Sequence, residues 1–405
     1  MLLSLLVYCL TGAILFFLGW HVNKREQQSL IQGGNKLPFY SWEILLSLVV
    51  FSVVAGARYH TGYDHAMYLD QYQHLLETGD FSRHNFEYGF VWISKIFAWC
   101  HIHYFYYFAF WALLQIGFLY FGLRNHKHLL CWVGLGIMCG PFFLSWMNSV
   151  RQSVVVCLFV TLVSLINNRS SLQKNILLLI FILCVVVLVA FIHKSALMLL
   201  PVFLILFLIL ILANDFNIHV SMPNKWVMLS VFAVFVLLGL KPFWIDYFSN
   251  YQWFLDLTGY QNYSNLDDPN VAGKFRTLNW GPSRVSVLCS NILVIWFYPK
   301  MRALFKDDRL LPIFFVLSFV GMCLSNLLIN TSHFLLRPID YFTIFYLVVN
   351  SYLMVYFIRK KNMVFTVALF LLLYTHFLFS VYKGVFKPID TNLPFLYHTF
   401  LLPLI

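Results

Sequence analysis

Ionisable side chains in this sequence collect in a few short segments that separate long apolar runs. Each segment lies where an apolar run begins or ends, which would put its charges at a helix end. The segments are residues 58–64 with Tyr68, residues 87–90, residues 148–152, residues 193–196, and Arg337. Ionisable groups at the ends of apolar spans are costly to bury and usually mark a substrate site or an ion pair.

These residue types would suit transfer of a group from a diphosphate donor to a hydroxyl acceptor. Guanidinium groups bind phosphate oxygens with two parallel hydrogen bonds, and cations at helix ends stabilise the charge of a leaving diphosphate. The acceptor hydroxyl would lose its proton to a positioned base. The candidate bases are Asp64, Glu87 and His193. No metal ion and no other cofactor would be needed, because guanidinium groups supply the positive charge.

The elements that position these groups must be membrane helices. The 405 residues are 61% hydrophobic and 11% charged, with a mean hydropathy of +0.76, whereas soluble domains carry about 25% charged residues. A membrane span needs about 20 apolar residues. Twelve runs qualify: 2–21, 41–57, 103–123, 129–147, 150–167, 175–192, 195–213, 226–243, 284–299, 310–330, 338–358 and 362–382. The sequence predicts an all-α polytopic protein that forms a single integral membrane domain over residues 1–405.

The distribution of Lys and Arg predicts which side each loop faces. Six loops, at 22–38, 124–128, 167–174, 214–225, 299–309 and 359–361, hold fifteen Lys and Arg residues. Twelve spans with the N-terminus outside place all six in the cytoplasm. Counting 88–100 as a full crossing would place several of these basic loops on the outer side, so we interpret it as a short re-entrant or interfacial helix. Residues 58–87 and 244–283 then form outer, periplasmic loops, and residues 63–78 read as an amphipathic helix on that surface.

Each charged residue also has a purely structural interpretation. A lone arginine at a span boundary is most often an interfacial anchor. His193 could be a structural histidine, and Glu87 could simply pair with one of the arginines. Anchors are least expected on the outer side, however, so the joint occurrence of these groups there favours a site.

Other chemistries find little support in the sequence. The net charge of +11 is spread between apolar runs, which is typical of membrane topology and not of a nucleic-acid groove. None of the eight cysteines forms a CxxC pair or clusters with His at metal-ligand spacing, so we expect no metal site. The chain also lacks a Walker A loop and a dinucleotide fingerprint.

The charged segments, in this order, resemble the EpsG family of bacterial membrane proteins, relatives of the Wzy-type polysaccharide polymerases. The family pattern R-Y-x-x-G-x-D-x-x-x-Y matches residues 58–68, E/D-x-G-F matches 87–90, and N-x-[IV]-R-Q matches 148–152. F-x-H-x-S-A-L matches 191–197, an arginine before a late span matches Arg337, and the tail with Asp390 and Pro394 resembles the family's ending. Lys194 departs from the pattern, since the family often has a small or polar residue there.

The resemblance implies a GT-C-like glycosyltransferase. It would transfer a growing glycan from undecaprenyl diphosphate to the next lipid-linked repeat unit of an O-antigen, capsule or exopolysaccharide. It implies that Arg58, Arg151 and Arg337 hold the diphosphates, that Lys194 assists the leaving group, and that His193, Asp64 or Glu87 is the base. The remaining substrate-binding residues would be Tyr68, Asn148, Gln152 and Ser195. The implied partners are undecaprenyl-diphosphate-linked oligosaccharide donor and acceptor, membrane lipids and a chain-length regulator protein, without nucleic acid.

Three other functions remain open on the sequence. A flippase of lipid-linked oligosaccharides would need charges in a central cavity reachable from both sides, but the spans carry almost none away from their outer ends. A membrane O-acyltransferase would need a histidine on the side of its acyl donor. A purely structural role is the third alternative.

Overall fold

All the secondary-structure elements of the described residues are helices. The computed structural model describes residues 2–59, 64–82, 86–140, 142–166, 172–215, 223–240, 280–330 and 337–386. Its α-helices are α1 (Leu2–Ile31), α2 (Trp42–Gly56), α3 (His65–Thr78), α4 (Tyr88–Trp99), α5 (Tyr104–Gly122), α6 (Lys127–Cys139), α7 (Phe142–Asn148), α8 (Val150–Leu165), α9 (Leu172–Ala190), α10 (Leu199–Asp215), α11 (Lys225–Leu240), α12 (Pro282–Leu304), α13 (Leu310–Leu327), α14 (Asp340–Arg359) and α15 (Met363–Phe386). Short 3₁₀ helices occupy Lys194–Met198 and Arg337–Ile339. The predicted all-α class is confirmed.

Every predicted apolar run contains a helix, but among the described residues only four helices are both long and apolar enough to cross a bilayer. Within the described ranges, Ser4–Ile31, Tyr104–Gly122, Leu310–Leu327 and Arg337–Arg359 are long and apolar enough. A fifth span would result if α6 and α7, bent by 62° at their junction, cross together. The other apolar helices are shorter; α2, with 15 residues, rises only about 22 Å against a hydrocarbon core of about 30 Å. The number of about twelve spans is therefore not confirmed.

The chain forms two compact units. The first comprises the described parts of residues 1–167, 184–196 and 354–405, and the second those of 168–183 and 197–353. In the first unit, α1 packs along α6, and α5 packs along both α2 and α8. In the second unit, α11 packs against α12 and α13, and α13 contacts the 3₁₀ helix Arg337–Ile339. The expectation of one integral membrane domain over 1–405 stays a prediction.

Two short helices stand between α2 and α5, where the sequence predicts an outer loop. α3 matches the predicted amphipathic helix, and α4 is the short helix predicted over 88–100. With 12 residues, α4 rises only about 18 Å. It buries Phe90 and Ser94 but exposes the apolar side chains of Trp92, Ile96 and Trp99. Whether α4 is re-entrant or interfacial, and on which side of the membrane it lies, stay predictions.

Tyr72 fixes α3 on its neighbours. Its hydroxyl donates a 2.7 Å hydrogen bond to the carbonyl oxygen of Ile102, and its ring stacks on that of Tyr107 with centroids 4.1 Å apart. Burial, and secondarily the nearby Cys100, raise the pKa of Tyr72 to about 12, so the phenol stays a hydrogen-bond donor at neutral pH. This contact also helps to fix the position of Tyr68, which lies one helical turn earlier on α3.

The predicted aromatic outer loop 244–283 lies outside the described residues except at 280–283, and so does the tail with Asp390 and Pro394. Residues 60–63 and 83–85 of the loop 58–87 also lie outside them.

Candidate active site

Glu87 lies at the centre of a buried polar cluster in the first unit. It immediately precedes α4 in an extended conformation, and only 9% of its surface is exposed. Its Oε2 accepts a hydrogen bond from Nη1 of Arg151, and its Oε1 lies 3.2 Å from Nδ1 of His193. The backbone N–H of Lys194 donates to the same Oε1 over 3.2 Å. One carboxylate therefore joins three of the motifs that the sequence singles out.

Arg151 is held by both charge and aromatic contacts. It is the second residue of α8, where the helix dipole disfavours a cation, and the carboxylate of Glu87 compensates for this. Its Cζ lies 4.8 Å from the ring centroid of Phe86 and 5.2 Å from that of Phe90, and its Nε donates to the hydroxyl of Tyr68 over 3.4 Å. Within the described residues Nη2 makes no hydrogen bond, so the guanidinium keeps donors for a ligand.

A glycine allows the segment 87–90 to pack closely against the segment that contains His193. The backbone N–H of Gly89 donates a 2.7 Å hydrogen bond to the carbonyl oxygen of Phe191, at the end of α9. A Cβ on Gly89 would lie only 2.8 Å from that oxygen, closer than side-chain carbons normally come. The glycine of the E-x-G-F pattern is thus explained by close packing, and the packing brings Glu87 to His193.

The contact with Glu87 also orients the imidazole of His193. If the imidazole is neutral and Nδ1 carries the proton, Nδ1 donates to Oε1 of Glu87 and Nε2 holds the lone pair. A carboxylate in this position orients the ring and stabilises the imidazolium formed when Nε2 takes a proton. Nε2 of His193 is buried, and the choice of base among His193, Asp64 and Glu87 stays a prediction.

Arg58 connects the segment 58–64 to the residue just before the segment 148–152. It lies two residues after the end of α2 and is 1% exposed. Its Nη1 donates a 2.9 Å hydrogen bond to the carbonyl oxygen of Met147, the residue before Asn148, and its Cζ lies 5.1 Å from the ring centroid of Phe108. The guanidinium is therefore enclosed by protein and stabilises the carbonyl end of α7. Its predicted contact with a diphosphate stays a prediction.

The remaining predicted site residues of the first unit lie on the same elements. Asp64 is the half-buried residue immediately before α3. Asn148 ends α7, and its buried Oδ1 has no hydrogen-bond partner within the described ranges. Gln152 is buried on α8. Ser195 is half-buried in the 3₁₀ helix, whereas the side chain of Lys194 is exposed and only its backbone N–H reaches Glu87.

Arg337 belongs to the second unit. It is the half-buried first residue of the 3₁₀ helix Arg337–Ile339, which leads into α14. The convergence of Arg337 with Arg58 and Arg151 on one ligand stays a prediction.

Two aromatic residues of the site were given no role from the sequence, although Phe90 belongs to the E-x-G-F pattern. Phe86 and Phe90 flank Glu87 and form an aromatic slot around Arg151. A signal was present, because aromatic residues on both sides of an isolated acidic residue suit a cation–π site, but the sequence is rich in Phe throughout. Among the described residues, no group of three His, Cys, Asp or Glu is arranged to hold a metal ion.

The fold and the site together define the class of protein. It is an all-helical membrane protein with a buried Arg–Glu–His cluster at the ends of its helices. The sequence model of the EpsG family matches residues 42–396, and the chain belongs to that family. The predicted resemblance is confirmed, and membership makes this a membrane protein of the polysaccharide-polymerase type, glycosyltransferase-like in its activity. No curated protein and no solved structure matches the chain, so the GT-C-like architecture stays a prediction.

Proposed function

We propose that this protein joins undecaprenyl-diphosphate-linked oligosaccharide units into a surface polysaccharide, such as an O-antigen, capsule or exopolysaccharide. In this proposal the reaction takes place on the periplasmic face of the bacterial inner membrane. The observation that supports it most is the buried cluster in which Glu87 joins the guanidinium of Arg151 to the imidazole of His193. Family membership supports the polymerase class, and the chemistry of the cluster suits a sugar hydroxyl and a diphosphate.

The acceptor hydroxyl would be activated by His193. Nε2 of His193 takes the hydroxyl proton, and the acceptor oxygen forms a bond to the anomeric carbon of the donor sugar. Glu87 stabilises the resulting imidazolium through Nδ1. Both oxygens of Glu87 are already engaged, which favours a positioning role for it over that of a base. Asp64, half-buried at the start of α3, is the alternative base.

The leaving group would be stabilised by guanidinium donors. As the bond from the anomeric carbon to the diphosphate oxygen breaks, the electron pair stays on undecaprenyl diphosphate, and the free donors of Arg151 bind the growing charge. Arg58, Arg337 and the exposed ammonium of Lys194 would hold further diphosphate oxygens, without a metal ion. Neutral partners for the sugars would be Tyr68, Asn148, Gln152 and Ser195.

The test is complementation of a deletion strain with single variants. We expect His193→Ala to abolish the long glycan and leave a single repeat unit on the acceptor, with a loss of at least 100-fold, the lower range for a general base. Glu87→Gln should reduce chain extension less, because a neutral amide still contacts Nδ1. His74→Ala and Glu77→Gln, half-buried and exposed on α3, are the matched controls and should keep normal ladders.

The pattern of surface glycan separates the proposal from its alternatives. Loss of all surface glycan with His193→Ala would indicate a flippase. Normal ladders with altered acyl content would indicate an O-acyltransferase. Either result, at wild-type protein levels, would contradict the polymerase assignment.

A further inference from the structure

The second unit contains a half-buried arginine that has no carboxylate partner among the described residues. Arg284 lies in the first turn of α12, and its Nη2 donates a hydrogen bond to Oδ1 of Asn326 on α13. Its Nε is buried and has no hydrogen-bond partner within the described ranges, and no carboxylate of those ranges pairs with it. Arg151, by contrast, is neutralised by Glu87.

This arrangement is energetically unfavourable unless an anion completes it. A guanidinium withdrawn from water loses hydration, and an amide oxygen offers only a partial charge in return. The position at the N-terminal end of α12 adds to the cost, because the helix dipole is positive there. Both effects favour an anion beside Arg284.

The surroundings hold Asn326 in one orientation. Asn326 is fully buried, and its Nδ2 donates a 2.6 Å hydrogen bond to the carbonyl oxygen of Met322, which directs Oδ1 to Arg284. α11 touches the backbone of α13 at this point: a Cβ on Gly239 would clash with the carbonyl oxygen of Asn326. Nδ2 of Asn330 donates a 2.7 Å hydrogen bond to the carbonyl oxygen of Gly239, which joins the end of α11 to the residues that follow α13, beside the arginine.

Other buried polar side chains of the second unit, on α12, α13 and α14, also have oxygens without a hydrogen-bond partner among the described residues. Asn291 lies two turns further along the same face of α12, about 10 Å from Arg284 along the axis. The side-chain oxygens of Asn291, Ser318 and Asn350, on three different helices, are buried and have no hydrogen-bond partner within the described part of the chain. Two of these oxygens are amide acceptors, which require hydrogen-bond donors such as hydroxyl groups or water.

We propose that Arg284, positioned by Asn326, is an anion-binding site of the second unit. It takes a phosphate or carboxylate oxyanion from a hydroxyl-rich ligand, whose hydroxyl groups or accompanying water meet the amide oxygen of Asn291 on the same face of α12. An arginine without a carboxylate partner among the described residues and an unpaired amide oxygen further along the same helix face together match an acidic sugar or a sugar phosphate. The site does not depend on the function proposed for the first unit.

The experiment is hydrogen–deuterium exchange of the purified full-length protein, with inorganic pyrophosphate and glucuronate as separate probes. A bound anion should slow exchange in peptides covering residues 280–290 at least threefold. Arg284→Gln should remove this protection, and Lys300→Gln, an exposed cation near the other end of α12, should keep it. Protection by pyrophosphate alone would identify a phosphate ligand, and protection by glucuronate an acidic sugar. Peptides covering residues 86–91 report anion binding at Arg151 independently.

Asn326→Asp provides a second variant that does not remove the arginine. A carboxylate beside Arg284 should raise the melting temperature of the ligand-free protein and abolish protection by either anion. Protection of residues 280–290 that persists in Arg284→Gln or in Asn326→Asp would overturn the proposal. So would the absence of protection by both anions in the wild type.

Discussion

The backbone N–H of Gly89 and the carbonyl oxygen of Phe191 are joined by a 2.7 Å hydrogen bond. This bond ties the first turn of α4 to the end of α9, and it sets how far Glu87 lies from His193. The positions of the ionisable groups thus depend on a neutral main-chain contact that only a residue without a Cβ allows.

Replacing Gly89 with alanine should disrupt this contact. The added methyl group would lie 2.8 Å from the carbonyl oxygen of Phe191, and relieving the overlap should cost about 1–3 kcal/mol. We expect a lower melting temperature together with loss of long glycan. The control is Gly117→Ala on α5, where an added Cβ has no neighbour within 4 Å among the described atoms; it should be neutral or stabilising. Equal behaviour of the two variants would argue against the close-packing role of Gly89.

The Arg151–Glu87 pair should respond differently to single and double substitution. Either Arg151→Gln or Glu87→Gln leaves a buried charge without its partner, at a cost of about 3–5 kcal/mol. The double variant removes both charges and should recover most of the thermal stability, but it should remain inactive because Arg151 donors are lost. Melting temperatures and glycan ladders, measured on the same three variants, test this. A double variant that recovers activity would remove Arg151 from the diphosphate site.

Arg58→Ala should abolish long-chain glycan while the protein still inserts. Removing the guanidinium leaves the carbonyl oxygen of Met147 without its 2.9 Å donor, a loss of about 1.5–3 kcal/mol for a charged hydrogen bond, which is small compared with the burial of the spans. Lys360→Ala, on an exposed cation, is the control. Protein abundance is read by membrane immunoblot and chain length by gel. Normal chain lengths at normal abundance would count against a role for Arg58 in substrate binding.

Cysteine accessibility should test which side of the membrane the cluster faces. In a cysteine-free background, Glu77→Cys on α3 should react with an impermeant maleimide added to the periplasm. Asn125→Cys, exposed between α5 and α6, should react only after the membrane is permeabilised. The reverse pattern would move the Glu87 cluster to the cytoplasmic side and contradict the proposed topology.

The helices could be predicted from the sequence because apolar runs separated by charged loops determine where helices begin and end. The predicted helix over 63–78 is observed as His65–Thr78. The number of spans could not be predicted equally well. Helices such as α2 and α8 are 15 and 16 residues long, so composition alone does not say whether they cross the bilayer fully.

The site was predictable in its residue types but not in its pairings. The sequence indicates that Glu87 could pair with an arginine, but three arginines were available, and 64 residues separate Glu87 from Arg151. The choice depends on tertiary packing of α4 against the start of α8. Arg284 was missed because one cation at a helix start resembles an anchor; only the surrounding buried amides distinguish it.

The separation of the cluster along the chain has a consequence for biogenesis. Glu87 is synthesised 106 residues before His193 and 64 residues before Arg151, so its carboxylate exists before the segments that carry its partners. Until those segments arrive, the nascent chain holds an isolated acid at a helix start. The hydrogen bonds that hold the cluster together can therefore form only after these later segments have been made.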